Sequence, residues 1–350
     1  MDMTQIALAA TLFGPEDLRI VEQPLGPLAE GMVRIAFGAA GICGSDMHYF
    51  RHARTGNFVV TAPLVLGHEI AGTLAEVNDH GTHLKVGDHV AVNPSRWCGA
   101  CARCREGRLN LCENIYFMGS ASKIPHMQGG FATFFDATPA QCVVVPKDLP
   151  FAAAALAEPL AVCLHAVARA GNLAGKRVAL FGAGPIGLLT MLSAKLAGAM
   201  HLTMIDISSQ PLAFASKLGA DEVFDTSKGS NTLIAATLEQ PFDVVFEVTG
   251  APSALALAIR TVRRGGVLVQ IGNLPGDEIP VPANAIMAKE IDLRGSFRFD
   301  KEFDQAVDLI VQRKFDVQQL ITARRPLAEA PAAMRLALDR GQSIKVVLEA

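Results

Sequence analysis

Residues 176–206 read KRVALFGAGPIGLLTMLSAKLAGAMHLTMID. The run RVALFG has the Val, Leu and Phe content of a buried strand, and it leads into three glycines spaced G-x-G-x-x-G, at Gly182, Gly184 and Gly187. A helix-forming segment follows, and a second apolar run ends in Asp206. Glycine triplets also occur by chance, but strand, turn, helix, strand and acid in this order predict a dinucleotide-binding βαβ unit.

Each part of this segment has a physical role in holding a dinucleotide. The first two glycines allow a tight turn and close approach of the pyrophosphate, and the third lets the helix pack on the strand. Pro185 and Ile186 are predicted to border the phosphates, which face the helix N-terminus. Asp206 can bind the adenosine ribose hydroxyls and would repel a 2′-phosphate. We therefore expect NAD to be preferred, with NADP possible.

The alternation of strands and helices continues beyond this segment. Residues 221–225, 241–250 and 265–272 have the composition of strands, and helical segments separate them. The last of these helices is predicted to end in TVRRGG, where cations and glycine suit a helix C-terminus. An α/β fold with a doubly wound parallel sheet is predicted over residues 157–291.

The first 150 residues have a different pattern. Short apolar runs are broken by Gly, Pro and Asn, which is typical of a β-rich domain, here expected to be a distorted barrel. Residues with chemical capacity lie in three of its segments and at the boundary that follows. They are GICGSDMHYF (41–50), LGHEIAG (66–72), CGACARCREGRLNLC (98–112) and AEPLAV (157–162).

The third of these segments holds four of the seven cysteines, Cys98, Cys101, Cys104 and Cys112. Four thiolates at such short spacing favour a closed tetrahedral zinc site, which would hold a loop at about residues 95–115 and do no chemistry itself. An iron–sulfur cluster and unmetallated thiols are the alternatives. Disulfides are disfavoured, because a chain without an export signal is expected in the cytoplasm, where thiols stay reduced.

Composition narrows the class of protein further. The formal net charge is −3 and the 31 Lys and Arg residues are scattered, so no nucleic-acid partner is expected. The N-terminal residues lack a basic region before an apolar one, which argues against a secretory signal. No apolar run of about 20 residues is evident, so no membrane association is expected.

A second metal site is suggested by residues that lie far apart in sequence. Cys43, His68 and either Glu69 or Glu158 could supply a thiolate, an imidazole and a carboxylate. A catalytic zinc ion needs about three protein ligands and one open position.

The order of these motifs resembles the zinc-dependent medium-chain dehydrogenase/reductase family over nearly the whole chain. GICGSDMHYF, AEPLAV and GSFRF are similar to its polyol dehydrogenase branch. NPSRWCGACARC, FMGSASKIPHMQGGF and RGSFRF resemble bacterial members that interconvert L-idonate and 5-keto-D-gluconate. The runner-up is a sorbitol- or xylitol-type enzyme. Superfamily members that lack zinc ligands serve as structural proteins, which the intact set Cys43, His68 and Glu158 argues against.

This resemblance implies the domain plan and the metal sites. Residues 1–156 and 292–350 would form a GroES-like catalytic domain, and 157–291 the Rossmann domain, with the active site in the cleft between them. Two Zn²⁺ ions are implied, one structural and one catalytic. Cys43 and His68 match catalytic zinc ligands, and Asp46 would hold an imidazole in place. Either Glu69 or Glu158 would complete the catalytic site.

The family also implies a mechanism and a substrate side. Zinc lowers the pKa of a bound alcohol, and hydride then passes to the nicotinamide. Ser45 and His48 would carry the proton to solvent. A pocket that binds a sugar acid should also contain a cation, because the substrate carries a carboxylate. The residues expected to face the substrate are Ser45, Phe117, Ser120, Lys123, His126 and Arg298. A homo-oligomer, dimer or tetramer, is expected from the family.

Overall fold

The computed structural model describes residues 6–276 and 278–350. The chain forms two compact units, one of Met1–Glu158 with Phe303–Ala350 and the other of Pro159–Glu302. The second crossing lies at Phe303 and not at the predicted 292. The reason is that residues Asp292–Gly295 form a further strand of the parallel sheet, which places them in the second unit.

The first unit is β-rich, as its broken apolar runs predict. Its strands are β1 (Ile6–Gly14), β2 (Asp17–Pro24), β3 (Met32–Gly41), β4 (Arg54–Thr55), β5 (Phe58–Val59), β6 (Leu64–Val65), β7 (Glu69–Asn78), β8 (His89–Val92), β9 (Ser95–Arg96), β10 (Tyr116–Phe117), β11 (Phe134–Ala137), β12 (Cys142–Val145), β19 (Ile321–Pro326) and β20 (Lys345–Glu349). Its helices are α1 (Gly44–His52), α2 (Ala102–Arg105), α3 (Phe151–Ala155) and α11 (Ala330–Leu338).

The main sheet of this unit has seven strands. Six follow the order β12-β8-β7-β3-β20-β19, and β11 also pairs with β3. All these pairs are antiparallel except β19 with β20. The hydrophobic core of this unit consists of buried apolar side chains, among them Ile35, Ile70, Leu74 and Phe131. This core fixes the ends of β3, β7 and β20, which carry the first site described below.

The second unit has the predicted parallel sheet. Its strands are β13 (Arg177–Phe181), β14 (His201–Asp206), β15 (Glu222–Asp225), β16 (Phe242–Glu247), β17 (Val262–Gln270) and β18 (Asp292–Gly295). Its helices are α5 (Pro185–Leu196), α6 (Ser209–Lys217), α7 (Asn231–Glu239), α8 (Pro252–Thr261) and α9 (Ala283–Lys289). The strand order is β15-β14-β13-β16-β17-β18, and every pair is parallel. This order reverses between β13 and β16, where doubly wound folds bind dinucleotides.

One predicted helix end is wrong. Helix α8 ends at Thr261, and the residues VRRGG that were expected at its C-terminus begin β17. The β-branched Val262 is fully buried at the start of that strand, opposite Phe242 of β16. Burial in the sheet therefore outweighs the local capping signal.

Two helices contain the crossings between the units, α4 (Ala157–Ala170) and α10 (Glu302–Val311). Contrary to the expectation from sequence, residues Phe151–Ala170 are long and apolar enough to cross a membrane. Their most hydrophobic window is 78% buried within the protein, and core helices of soluble proteins pass the same test.

Candidate active site and dinucleotide site

Cys43 lies at the junction between β3 and α1. It is the N-cap residue of α1 and has an extended backbone. The carboxylate of Asp46, three residues later, accepts a hydrogen bond from the Cys43 N–H at 3.0 Å, completing a capping box. The helix start therefore fixes the Cys43 side chain in one place.

His68 and Glu69 lie where β7 begins, next to the end of β3. Gly41 of β3 is paired in register with Glu69, which brings the two segments together. The side chains of Cys43, His68 and Glu69 each offer a ligand atom, and these atoms lie within 4.8 Å of one another. A thiolate, an imidazole and a carboxylate at this spacing fit the donor set of a catalytic zinc ion.

Asp46 is fully buried beside His68. One of its oxygens lies 3.6 Å from His68 Nδ1 and accepts the Gly67 N–H at 3.3 Å. Burial lowers the pKa of His68, but the charges of Asp46 and Cys43 outweigh it and raise that pKa well above its ordinary value. The carboxylate lies on the Nδ1 side of the ring, where the partner of a metal-binding histidine is found, but at 3.6 Å it does not make a hydrogen bond.

Glu69 has a partner that sequence reasoning missed. Lys345, at the start of β20, is fully buried and donates to Glu69 Oε1 at 2.7 Å and to the Ile42 carbonyl at 2.9 Å. Burial lowers the pKa of Lys345, but Glu69 and Cys43 raise it above its ordinary value overall. A lone lysine in the apolar run IKVVL was the available signal, since a charge there requires a buried partner.

Gly41 makes room for this ion pair. A Cβ at that position would lie 1.9 Å from Glu69 Oε2 and 2.9 Å from Lys345 Cε. A side chain at residue 41 would therefore displace the carboxylate.

Glu158 lies in the first turn of α4 and is 5% exposed. Burial raises its pKa to about 7, with Glu69 and Asp46 adding to the effect and His68 and Lys345 opposing it. Within the described residues, its carboxylate is not part of the close group formed by Cys43, His68 and Glu69. The charges of His68 and Glu69 nevertheless act on its pKa, so Glu158 lies near that group.

Ser45 and His48 lie on α1. The Ser45 hydroxyl is 3.5 Å from His68 Nε2. His48 lies one turn later and reaches solvent. Partial burial and the positive charges of His52, Arg340 and Arg51 lower its pKa.

The predicted substrate residues on the 117–126 segment differ in their surroundings. The Phe117 ring lies against His68, with 5.4 Å between ring centroids. Ser120 is buried, and its hydroxyl bonds to that of Ser122 at 3.1 Å. Of these two, Phe117 is the residue that the structure brings to the metal-binding group.

Lys123 and His126 belong to the same loop. Lys123 is exposed, and its Nζ donates to the Asn114 carbonyl at 3.0 Å. His126 is buried: its Nε2 accepts the Thr61 N–H at 2.9 Å, and its Nδ1 lies 2.9 Å from the Lys123 carbonyl. Both ring nitrogens of His126 therefore hold the loop, and its predicted substrate contact stays a prediction.

The four clustered cysteines come together around α2. Their sulfurs are 3.5 Å apart for Cys98 and Cys112, and 4.0 Å apart for Cys98 and Cys104 and for Cys101 and Cys112. A tetrahedral zinc ion with Zn–S bonds of about 2.3 Å separates its sulfurs by about 3.8 Å. None of the four cysteines forms a disulfide, and their sulfur–sulfur distances fit a bound zinc ion.

Local backbone geometry favours thiolates at Cys98 and Cys101, whereas burial and the neighbouring thiols raise the pKa of Cys104 to about 12. The N–H groups of Ala100 and Cys101 lower the pKa of Cys98 to about 6. The Cys101 N–H donates to Cys98 Sγ at 3.4 Å, and the Cys104 N–H donates to Cys101 Sγ at 3.5 Å. Such N–H donors stabilise the charge that zinc ligands carry.

The glycine turn in the second unit has the predicted form. Gly182 follows β13 with φ of +111°, and a Cβ on Gly187 would lie 1.9 Å from the Gly182 carbonyl oxygen. Gly184 is the N-cap of α5, Pro185 is in the helix's first turn, and Ile186 follows it. The N–H groups in the first turn of a helix have no intrahelical acceptor and attract anions, and binding of the phosphates here stays a prediction.

Asp206 ends β14 beside this turn. Its Oδ2 accepts the Ala183 N–H at 2.7 Å, and its Oδ1 accepts the Ile207 and Ser208 N–H groups. The carboxylate thus links the end of β14 to the glycine turn. Arg298, also in the second unit, has φ of +54° and places its guanidinium 4.9 Å from the Phe297 ring centroid.

Comparison with known families gives matches over both units. Residues 29–147 match the family "Alcohol dehydrogenase GroES-like domain", and residues 185–312 match "Zinc-binding dehydrogenase". These two matches agree with the predicted GroES-like and Rossmann architecture, which is confirmed.

Individual relatives match over nearly the full length. An L-idonate 5-dehydrogenase (NAD(P)(+)) of Escherichia coli is 38% identical, with 96% of both chains covered. A sorbitol dehydrogenase of Bacillus subtilis is 34% identical, covering 97% of this chain and 96% of the relative. The crystal structure of L-idonate 5-dehydrogenase from Escherichia coli superposes with a TM-score of 0.93 at 36% identity, covering 99% of both chains.

Proposed function

The chain belongs to the zinc-dependent medium-chain dehydrogenase/reductase family, in its polyol dehydrogenase branch, and on that premise we propose that it is an L-idonate 5-dehydrogenase. It would interconvert L-idonate and 5-keto-D-gluconate with NAD(P). The observation that carries an enzymatic role is the convergence of Cys43, His68 and Glu69 within 4.8 Å. A structural relative without activity would not need this donor set.

The catalytic zinc would be held by Cys43 and His68, with Glu69 or Glu158 as the acid. When bound, the ion supplies a Lewis acid that favours loss of the alcohol proton. Glu69 is already held by Lys345 at 2.7 Å, whereas Glu158 has no such cation in bonding distance among the described contacts. This difference favours Glu158 as the acid that approaches the metal, directly or through water.

The proton leaves through residues of α1 in this proposal. The Ser45 hydroxyl would contact the alcohol oxygen, and its 3.5 Å distance from His68 Nε2 supports this role. His48 reaches solvent one helical turn later and can accept a proton from that side. Its lowered pKa favours the neutral form, which is the form that accepts a proton.

A sugar acid adds a carboxylate to the substrate. Lys123 is the exposed cation of the 117–126 segment. Its Nζ donates to a neutral carbonyl, and among its described contacts no protein carboxylate competes with the substrate carboxylate for it. Phe117, against His68, would pack on the carbon chain, and Ser120 and Arg298 are the further predicted contacts. His126 would act by holding the loop that presents Lys123.

A sorbitol- or xylitol-type polyol dehydrogenase is the second candidate. The sorbitol dehydrogenase relatives are 34% and 35% identical over nearly the whole chain, close to the 38% of the idonate enzyme. The two candidates share the metal and cofactor sites, and the chemical difference that a cation can recognise is the carboxylate, which the sugar acid has and the polyols lack.

The deciding experiment is a steady-state assay of the zinc-loaded protein with L-idonate, D-gluconate, sorbitol and xylitol, each with NAD and NADP. We expect kcat/KM to be highest for L-idonate with NAD. Equal kcat/KM for sorbitol would replace the sugar-acid proposal by the polyol one. Cys43→Ser should abolish turnover while the fold survives, with Cys163→Ser, at a buried cysteine in α4, as its control. Full activity of Cys43→Ser would overturn the catalytic assignment.

We further propose a cytoplasmic homo-oligomer, dimer or tetramer, since the family relationship supports it. Light scattering of the purified protein tests the oligomer, and a monomeric mass would refute it.

A further inference from the structure

A fully buried carboxylate ends the strand that lies next to β13 across the dinucleotide crevice. Glu247 is the last residue of β16 and has no exposed surface. Its Oε1 accepts the N–H groups of Thr249 at 2.8 Å and Gly250 at 3.1 Å, and also the Thr249 hydroxyl. Its Oε2 accepts the Gln270 side-chain amide at 2.5 Å. An ionised carboxylate, which only accepts hydrogen bonds, suits this ring of donors.

The same residue joins the loops that follow β16 and β17. Its backbone carbonyl accepts the N–H groups of Ile271 at 2.8 Å and Gly272 at 3.1 Å. A Cβ on Gly272 would lie 2.8 Å from Glu247 Oε2 and 2.2 Å from the Gly250 nitrogen. The two loops therefore pack against each other around the carboxylate, with no space for a side chain between them.

This pair of loops also contacts the glycine turn. A Cβ on Gly182 would lie 3.0 Å from Thr249 Cγ2, and the Val248 N–H donates to the Phe181 carbonyl at 2.9 Å. The segment held by Glu247 is thus one wall of the crevice at which the phosphates are expected.

The strand order indicates which half of the cofactor lies against the segment held by Glu247. Asp206 ends β14, on one side of β13, and marks the adenosine half. β16 and β17 lie on the other side of β13, in the second mononucleotide-binding half of the sheet. A dinucleotide that spans the crevice from Asp206 must place its nicotinamide half over the ends of β16 and β17.

We propose that Glu247 is a positioning residue for the nicotinamide half of the cofactor. It acts through the loops 248–251 and 271–273, whose N–H groups it fixes, and it does not itself touch the cofactor. The adenosine half, held at the end of β14, would not depend on it.

The test is direct binding of NAD⁺ and of AMP to Glu247→Gln, measured by calorimetry on the zinc-loaded protein without substrate. Glutamine keeps one accepting oxygen but replaces the other by an NH2 group, which only donates, so at least one of the four donors loses its acceptor. We expect the Kd for NAD⁺ to rise about tenfold to hundredfold, while the Kd for AMP changes by less than about twofold. Asp206→Ala is the matched control and should weaken the binding of AMP as well as that of NAD⁺.

Two outcomes would overturn the proposal. One is unchanged NAD⁺ affinity in Glu247→Gln, and the other is an equal loss for AMP and NAD⁺, which would mean a general effect on the unit. Thr249→Val removes one donor to Glu247 and keeps the residue's size, so it tests the same point if Glu247→Gln does not fold. It should weaken NAD⁺ less than Glu247→Gln does, again without weakening AMP. Equal weakening of both ligands by Thr249→Val would also refute the proposal.

Discussion

The ammonium group of Lys345 lies 2.7 Å from Oε1 and 2.5 Å from Oε2 of Glu69, with both side chains buried. The pair connects the last strand of the chain to the residue that follows His68. A metal-site carboxylate is therefore held by a cation that lies 276 residues away in sequence.

Lys345→Met should destabilise the first unit. It leaves the Glu69 carboxylate buried without its cation, which costs about 3–5 kcal/mol in the free energy of unfolding. Urea denaturation measures this loss, with Lys147→Met, at an exposed lysine, as the control. Adding Glu69→Gln to Lys345→Met should recover most of the loss. If Lys345→Met is as stable as Lys147→Met, the pair contributes nothing.

Cys101→Ser should remove the structural zinc and leave the catalytic one. Metal analysis should then give one ion per chain in place of two, because residues 6–276 and 278–350 contain two groups of potential metal ligands. Trp97, the single tryptophan, adjoins Cys98, so its fluorescence should report loosening of the lobe. Cys142→Ser changes a buried cysteine outside both groups and should keep both ions. Two ions in Cys101→Ser would contradict the four-cysteine site.

Asp206→Ala should narrow the preference for NAD over NADP. The carboxylate that would repel a 2′-phosphate is lost, although the loss of its bond to the Ala183 N–H should also weaken binding of both nucleotides. The measurement is kcat/KM with each nucleotide. A wild-type preference for NADP would show that the role assigned to Asp206 is wrong.

Lys123→Ala should raise KM for L-idonate up to about fivefold, because an ion pair made by an exposed lysine contributes about 0.2–1 kcal/mol. Oxidation of sorbitol, which has no carboxylate, should change little. Lys123→Glu should impair idonate more than Lys123→Ala does. If neither variant changes KM for idonate, Lys123 is a solvated loop residue.

Stability of the second unit should depend on pH through Glu302. Burial raises the pKa of Glu302, but hydrogen bonds from His165 at 3.0 Å and from the Asp300 N–H at 2.7 Å bring it below its ordinary value. A lowered pKa means that the ionised form stabilises the fold. This contribution is complete above the unfolded pKa of about 4.3 and is lost as pH falls through the folded value.

Glu302→Gln should therefore lower Tm at pH 6, where these bonds to a charged group are worth about 1.5–3 kcal/mol. The difference from wild type should close as the pH falls below about 4. Glu239→Gln, at an exposed position on α7, is the control at each pH. A difference in Tm that does not vary with pH would contradict the assignment.

The sequence alone determined the features that depend on local pattern. The glycines at 182, 184 and 187 with Asp206 predicted the βαβ unit, because a turn, a helix start and a strand end are set within a few residues. The spacing of the four cysteines predicted their cluster for the same reason, since α2 and its flanking loops bring them together within one short segment.

The features that depend on contacts between distant segments required the folded structure. It paired Lys345 with Glu69 and placed Phe117 against His68, and it used both ring nitrogens of His126 to hold a loop. In the structure, VRRGG belongs to β17 and not to a helix end, and Asp292–Gly295 belongs to the parallel sheet. For VRRGG, burial of Val262 and pairing across strands outweighed the local preference of the residues. The other contacts join segments that are distant in the chain, and local pattern does not encode them.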